Sequence, residues 1–268
     1  MKYADLHIHT HFSDGTFSPA RIIALARQEG LSCISITDHD SVEAYLSNPS
    51  DKDIEVIPGI ELSAEINNVE VHILGYFIDY QDAGFQKELK AICDCRTKRM
   101  AEMCRKLSGL GMPLSLKEIL DFTGNAVVGR LHLARLMVKK GFVSNTQEAF
   151  NKYIGDSGPA YVSKFRFTPQ EVIELILKVK GVPVLAHPYS LPDQGLIPGF
   201  VKAGLMGLEA IYPEHSRKQT DYYKQLAEKY GLLITGGSDC HGQAKPEVKI
   251  GLTKIPYELV EKLKKARL

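Results

Sequence analysis

The sequence predicts an α/β fold in which repeated strand and helix units close into a barrel, interrupted once by a helical insertion. Three observations predict it. Short apolar runs alternate with capped helical stretches, the order that builds a parallel sheet. Six of the nine histidines, His7, His9, His39, His72, His187 and His241, fall at the ends of runs that read as strands, and a closed sheet brings such ends together. Between about residues 81 and 166 the strand rhythm stops, and apolar spacings of three and four residues replace it.

The first run, residues 2–9, alternates so that His7 and His9 share one face of an extended segment, about 6 to 7 Å apart along it. Ser18-Pro19 then reads as an N-cap with proline at the first helical position, and Gly30 closes that helix. Strand Cys33–Thr37 delivers Asp38, His39 and Asp40, and strand Ile54–Ile60 delivers Glu61. A two-residue turn at Asn67-Asn68 leads into the run 69–74, which carries His72. Thr168-Pro169-Gln170-Glu171 is a capping box whose helix runs to Gly181 and feeds the strand Val182–His187. A strand at Gly207–Ile211, a helix at Arg217–Tyr230, a strand at Leu232–Thr235 leading to Asp239 and His241, and a helix at Tyr257–Ala266 complete the order.

Within 81–166, Phe85, Leu89, Ile92, Met100, Met103 and Leu107 form a helical stripe that Gly109, Gly111 and Pro113 end. Ser115 and Glu118 open a second helix, Arg130–Lys140 forms a third, and Tyr161-Val162 is the next strand signal. Residues 1–80 and 167–268 are therefore expected to form the barrel, and 81–166 a helical substrate-recognition insertion. Gly129, Arg130 and His132 lie at a predicted helix start, where backbone N–H groups, a guanidinium and an imidazole suit a phosphate; a solvated basic face is the alternative. Arg96 interrupts the apolar stripe, and Arg99 lies beside it.

At 268 residues and 44% hydrophobic content the chain can bury a full core. A formal net charge of +1 gives no global attraction to nucleic acid or anionic membrane, so an anionic substrate must meet a local patch. Five cysteines without paired C-x-x-C spacing fit reduced thiols. With no basic, apolar leader and no run of about 18 apolar residues, the expectation is a cytoplasmic protein with no membrane association and no obligate protein partner.

Neutral imidazoles beside carboxylates are the donor set of Mn, Zn or Fe. Taken together, His7-x-His9, Ser13-Asp14-Gly15, Thr37-Asp38-His39, Glu61, His72, His187-Pro188 and Gly237-Ser238-Asp239-x-His241 resemble the polymerase and histidinol phosphatase (PHP) superfamily over nearly the whole chain. With Gly129-Arg130-x-His132 in the insertion, the chain resembles the branch of nucleoside 3′,5′-bisphosphate phosphatases that also includes 5′-to-3′ exoribonucleases. The resemblance implies a distorted seven-stranded βα barrel holding two or three divalent ions. By its pattern His7, His9, Glu61 and Asp239 would hold the first, and Glu61 would bridge to a second held also by His72 and His187. Asp14, His39 and His241 would hold a third; some members carry histidine where this chain has Asp14. Asp5, Asp38 and Asp40 are then candidates to orient the imidazoles.

The implied reaction is hydrolysis of the 3′-phosphate of a nucleoside 3′,5′-bisphosphate by a metal-activated hydroxide, with the 5′-phosphate held by Arg130 and His132. Arg96, Arg99 and His215 are further candidate substrate contacts, and the sequence assigns no general acid. The runner-up is 5′-to-3′ cleavage of short 5′-phosphorylated RNA. Histidinol-phosphate hydrolysis, metal amidohydrolase chemistry and a non-catalytic metal-binding module are weaker alternatives. An amidohydrolase of this kind commonly bridges its metals with a carboxylated lysine, whereas here the third strand ends in Glu61. Cys240, between two ligand positions, is expected to point away from them.

Overall fold

The computed structural model describes residues 1–47, 49–67, 69–163, 167–191 and 193–267. In chain order the elements are β1 (Tyr3–Ile8), α1 (Pro19–Gln28), β2 (Cys33–Ile36), α2 (Glu43–Leu46), β3 (Glu55–Ile66), β4 (Val69–Tyr76), α3 (Ala83–Gly109), α4 (Leu116–Thr123), α5 (Arg130–Lys139), α6 (Thr146–Ala149), α7 (Pro169–Lys178), β5 (Val182–Leu185), α8 (Ile197–Lys202), β6 (Gly207–Ile211), α9 (Arg217–Tyr230), β7 (Leu233–Gly236), β8 (Ile255–Pro256) and α10 (Tyr257–Lys265). A π-helical turn, Phe150–Ile154, follows α6. The expected caps form: Ser18 accepts from the Arg21 N–H at α1, and Thr168 and Glu171 close a reciprocal capping box at α7.

All strands belong to one sheet, ordered β7-β6-β5-β4-β3-β2-β1-β8. The resemblance implied seven strands; the eighth is the two-residue β8, which pairs antiparallel with the start of β1 through Ala4 and Ile255. Nor is the sheet all parallel, because β4 runs antiparallel to both β3 and β5. The reason is local. Ile66 pairs with Val69, so only a tight turn separates the two strands, whereas a parallel neighbour would need a long crossover. Asn67 takes the left-handed conformation at φ 52°, which asparagine tolerates; Asn68, the other half of the expected turn, lies outside the described residues.

Strand β3 does not stop before Glu61 as the sequence suggested but continues to Ile66, because the hairpin gives its outer half a partner in β4. Glu61 nevertheless sits at the rim of the barrel, where the last bridge from the β2 side joins His39 to Glu61. The ring closes at this same end. Beyond β7, the Asp239 N–H donates to the His7 carbonyl at 2.8 Å and the His9 N–H donates to the Cys240 carbonyl at 2.9 Å, so the segment after β7 returns alongside β1. The carboxyl ends of the first and last parallel strands thus meet where the histidines are.

Between β4 and β5 the described residues form helices and no strand; Tyr161 and Val162, expected as a strand, join no sheet, and Val162 is buried against the helices instead. Helix α3 links two cores. Phe85, Leu89 and Ile92 pack with β3, β4 and α7, while Met100, Met103 and Leu107 pack with α4, α5 and residues of the 143–162 stretch. Full burial of each such side chain contributes about 1.5–3 kcal/mol. Arg96 and Arg99 lie at the seam between the two cores, and that position accounts for the break in the apolar stripe.

Candidate metal centre

The strand geometry turns His7 and His9 to one face of β1, and their Nε2 atoms stand 3.2 Å apart. Glu61 Oε2 lies 3.1 Å from each of them, and Asp239 Oδ1 lies 3.4 Å from His7 Nε2 and 3.1 Å from His9 Nε2. Asp239 reaches this point through a left-handed backbone at φ 55°, a strain that functional positions often carry. Gly237 permits the close return: a Cβ there would lie 2.4 Å from the His7 nitrogen. Cys240 points the other way, into the apolar cluster of Ile8, Ile22 and Ile36.

Glu61 Oε1 faces a second group. It stands 2.9 Å from His72 Nδ1 and 3.0 Å from His187 Nε2, which are 3.3 Å from each other. His187 also holds a left-handed backbone, at φ 25°. Asp14, His39, His241 and His9 form a third group, with Asp14 Oδ1 3.1 Å from His241 Nε2 and Asp14 Oδ2 3.9 Å from His39 Nε2. His39 stands between the groups, because its Nδ1 lies 3.2 Å from Glu61 Oε2. Gly15 is required here: a Cβ would lie 2.4 Å from the His9 carbonyl oxygen.

These contacts suit cations better than hydrogen bonds. Donor atoms at about 2.0–2.1 Å around a tetrahedral ion stand about 3.3–3.4 Å apart, close to the spacings of the first group. Asp14 Oδ1 and His39 Nδ1 are buried without any partner in hydrogen-bonding geometry. Charge makes the same point. Burial disfavours a proton on His9, but Asp239 and Glu61 outweigh it and hold its pKa up at about 9; Glu61 and Glu70 likewise hold His72 at about 10. Burial would raise Glu61, yet His39, His7 and His72 keep it well below the usual carboxylate range. His39 goes the opposite way: burial, aided by His9 and His72, drives it well below an ordinary imidazole, since neighbouring rings cannot all be charged. The donor set therefore fits divalent metal ions.

The remaining ring nitrogens are pinned. His7 Nδ1 donates to Glu209 Oε1 at 2.9 Å, His72 Nε2 to Glu70 Oε1 at 3.1 Å, and His241 Nδ1 to the Asp239 carbonyl at 2.8 Å. His187 Nδ1 meets Ser190 Oγ at 3.2 Å, and His9 Nδ1 meets Ser13 Oγ at 3.5 Å, whose hydroxyl donates to Asp38 at 2.6 Å. Each such contact fixes a tautomer and a ring direction.

Among the described residues, Asp5 and Asp40 make no hydrogen bond to an imidazole, which corrects the role expected of them, whereas Asp38 bears on a ring indirectly. Asp5 accepts from the backbone N–H groups of Ser238 and Gly251, both at 2.8 Å, and burial pushes its pKa up to about 6. Asp38 accepts from the Thr10 N–H at 2.6 Å and reaches His9 only through Ser13. Asp40 accepts from the Ser63 N–H at 2.9 Å and from Arg96 Nε at 2.5 Å. Backbone amides of the rim loops sit nearer to these carboxylates than the rings do, so they anchor loops.

A cavity of about 270 Å³ opens over the centre, lined among others by Asp14, Glu61, His72, Arg130, Tyr189 and Lys245. Of the expected substrate contacts, Arg130 and Arg96 reach it. Arg130 donates to Glu70 Oε2 and to Asp156 Oδ1, both at 2.6 Å. Arg96 is buried and bonded to Asp40, Ser63 and the Val128 carbonyl, so it braces the wall. The other three lie behind the wall. Arg99 donates to the Val162 carbonyl, His132 Nδ1 accepts the Gly129 N–H at 3.2 Å, and His215 donates to the Ala210 carbonyl among Tyr189, Tyr212 and Tyr223. His132 thus caps its own helix, because the short return to Gly129 satisfies an N–H that the first turn leaves free.

Sequence reasoning missed Glu70, Glu209, Tyr212 and Lys245. Glu209 carried a signal, being the one acidic residue within the apolar run 207–211, and Glu70 lies two residues before His72, on the same strand face. Tyr212 donates to Asp239 Oδ2 at 2.8 Å, and no local pattern foretold that pairing.

A protein-family model described as the PHP domain matches residues 5–155. The chain is 28% identical over 264 residues to a 3′,5′-nucleoside bisphosphate phosphatase of Chromobacterium violaceum, covering 95% of this chain and 92% of that protein. It is 29% identical over 249 residues to a 5′-3′ exoribonuclease of Haemophilus influenzae, covering 90% of each. Two solved structures superpose at 26% identity. One, from Bifidobacterium adolescentis and assigned as a metal-dependent phosphoesterase, has a TM-score of 0.87 and covers 99% of this chain and 96% of that one. The other, from Chromobacterium violaceum and described as an amidohydrolase, has a TM-score of 0.88 and covers 99% and 97%.

Proposed function

The chain belongs to the PHP domain family, and from that premise we propose that it is a metal-dependent phosphoesterase that removes the 3′-phosphate of nucleoside 3′,5′-bisphosphates. The observation that carries this reading is that one cavity is lined both by metal-ligand candidates, Asp14, Glu61, His72, His187, Asp239 and His241, and by Arg130. Two phosphate-binding poles in one cavity suit a substrate with two phosphates. The bisphosphate phosphatase of Chromobacterium violaceum matches the chain over almost its full length, which supports the same substrate class.

In this reading His7, His9, Glu61 and Asp239 hold one ion, Glu61, His72 and His187 a second, and Asp14, His39 and His241 a third, with Mn, Zn or Fe as the candidates. Divalent ions there would neutralise the phosphate oxygens and lower the pKa of a coordinated water. The protein's own groups do the positioning. Glu209, Glu70 and Ser190 hold His7, His72 and His187 by their second nitrogens. Arg130, supplied by the helical stretch 81–166, takes the 5′-phosphate and sets the distance to the 3′-ester; that stretch is thus assigned to substrate recognition. Arg130 can turn to a phosphate by exchanging Asp156, which is 40% exposed, for the ligand.

The five cysteines are free, and no helix among the described residues is long and apolar enough to cross a membrane; a cytoplasmic setting is in keeping with both. The Haemophilus influenzae relative favours a second reading, 5′-to-3′ cleavage of short 5′-phosphorylated RNA. Arg130 would then grip the terminal 5′-phosphate and the next linkage would be cut. Against amidohydrolase chemistry stands Glu61, a carboxylate between the first two ligand groups where a carboxylated lysine is commonly found. The deciding experiment assays Mn-loaded protein on 3′,5′-bisphosphates, 5′-phosphorylated oligoribonucleotides, histidinol phosphate and an amide panel. Release of inorganic phosphate from the bisphosphate at the highest kcat/KM supports the first reading, mononucleotide release the second, and amide cleavage alone refutes both.

A further inference from the structure

We propose that Lys245 is a further catalytic residue, whose ammonium contacts the phosphoryl group undergoing hydrolysis. Among the described residues, the lysine and arginine side chains that line the cavity are Arg96, Arg130 and Lys245. Arg96 is bonded to Asp40, Ser63 and the Val128 carbonyl, and Arg130 to Glu70 and Asp156. Lys245 differs. Among the described residues its ammonium makes one hydrogen bond, to Asp239 Oδ2 at 3.0 Å, and its side chain, which lines the cavity, is 33% exposed. An ammonium has three N–H donors, so two remain for a ligand.

The single partner sets the position. Asp239 turns Oδ1 to His7 and His9 and Oδ2 to Lys245 and Tyr212, so one carboxylate separates the ammonium from the first ligand group. A phosphoryl oxygen approaching that group therefore comes within reach of Lys245. The backbone beneath is fixed. Gly242 adopts φ 62° with a would-be Cβ only 2.4 Å from Thr16 Oγ1, the Gln243 N–H donates to that oxygen at 2.7 Å, and the Val248 N–H donates to the Lys245 carbonyl at 3.0 Å. Pro246 restricts the next residue.

The chemistry calls for such a charge. In hydrolysis a water oxygen bonds to phosphorus and the P–O3′ bond breaks, its electron pair leaving on the ribose oxygen. One water proton ends on that oxygen and the other with the phosphate. Lys245 neither gains nor loses a proton; it stabilises charge that grows on the phosphoryl oxygens. A compact ammonium suits charge that redistributes, whereas the planar fork of Arg130 suits a terminal phosphate that does not react.

The inference rests on the phosphoesterase reading, and its test separates the two. Lys245→Met and Lys245→Arg are compared with wild type on a 3′,5′-bisphosphate and on glycerol 3-phosphate, with manganese content measured by elemental analysis and inorganic phosphate binding to the loaded protein by calorimetry. Lys245→Met should keep its manganese, lose about a hundredfold in kcat/KM on both esters, and bind phosphate about tenfold more weakly; Lys245→Arg should recover part of each. Wild-type turnover and wild-type phosphate binding in Lys245→Met would overturn the proposal. So would a loss that follows lost manganese, since Lys245 would then only support Asp239. If wild-type protein turns over neither ester, the phosphoesterase reading fails, and unaltered phosphate binding in Lys245→Met would still decide against Lys245.

Discussion

Glu209 grips His7 and, through it, couples two parts of the centre: Oε1 accepts from His7 Nδ1 at 2.9 Å while Oε2 accepts from the His187 backbone N–H at 2.8 Å. One fully buried carboxylate on β6 therefore sets the ring of a candidate ligand in the first group and the backbone of a candidate ligand in the second. Its removal should weaken both without touching either donor atom.

Glu209→Gln keeps the shape but loses the charge and one of two equivalent acceptors. Contacts of this kind are worth about ten- to a hundredfold in metal affinity. Manganese titration of Glu209→Gln should show that loss in the tightest site. An unchanged affinity would mean that the His7 ring is held by its packing alone.

Glu61 touches both ligand groups through different oxygens, so Glu61→Gln should reduce bound metal by more than one ion per chain. Elemental analysis after dialysis measures it. Wild-type protein should also gain stability with manganese, by about 2.7 kcal/mol at a hundredfold excess over Kd, a gain that Glu61→Gln should largely lack. Loss of a single ion with the thermal shift retained would leave Glu61 as a ligand of one site only.

The convergence of the candidate ligands was legible because a strand repeats every two residues and a barrel gathers strand ends; bringing His7, His9, Glu61 and Asp239 together needed only those rules and the family pattern. What orients the rings was not legible. Asp5, Asp38 and Asp40 stand near candidate ligands in sequence, but their oxygens meet rim amides, Ser13 and Arg96. Glu209 and Glu70 reach the rings instead, because strand neighbours are set by sheet order. The antiparallel β4 was hidden for a related reason: its direction depends on the hairpin, while its composition matches that of a parallel strand. Arg96 and His132 were recognised as unusual, yet their partners, Asp40 and Gly129, belong to close packing that periodicity does not encode.

His132 gives a pH dependence with a defined sign. Burial, with help from Arg135, Arg96 and His241 against the opposing pull of Asp14, lowers its pKa to about 4, so the folded protein keeps it neutral while the unfolded chain takes a proton below about 6.5. Its contribution is complete above pH 6.5 and is lost as pH falls toward 4, by about 3 kcal/mol in all. His132→Asn can still accept the Gly129 N–H but cannot titrate. Urea denaturation of chelator-treated proteins at pH 7 and pH 4.5 should show a smaller fall for the variant. Equal falls would place a charged imidazole in the folded protein.

Arg130 holds two carboxylates, Glu70 and Asp156, so its removal acts on more than a bound phosphate. Arg130→Ala removes the contact to a 5′-phosphate, expected to cost about 1.5–3 kcal/mol, or roughly ten- to a hundredfold in kcat/KM. It also leaves Glu70 with Arg99 as its remaining arginine, at 3.4 Å, and Glu70 holds His72, so some loss at the metals is expected for every substrate. The two effects separate in a ratio. Damage passed through Glu70 and His72 lowers activity on 3′,5′-bisphosphates and 3′-monophosphates alike, whereas the lost phosphate contact affects only the former. The preference for the bisphosphate should therefore fall about ten- to a hundredfold in Arg130→Ala. Asp156→Asn, which releases a competitor for the same guanidinium, should move that preference the other way. If the ratio is unchanged in both variants, Arg130 holds Glu70 in place and the 5′-phosphate binds elsewhere.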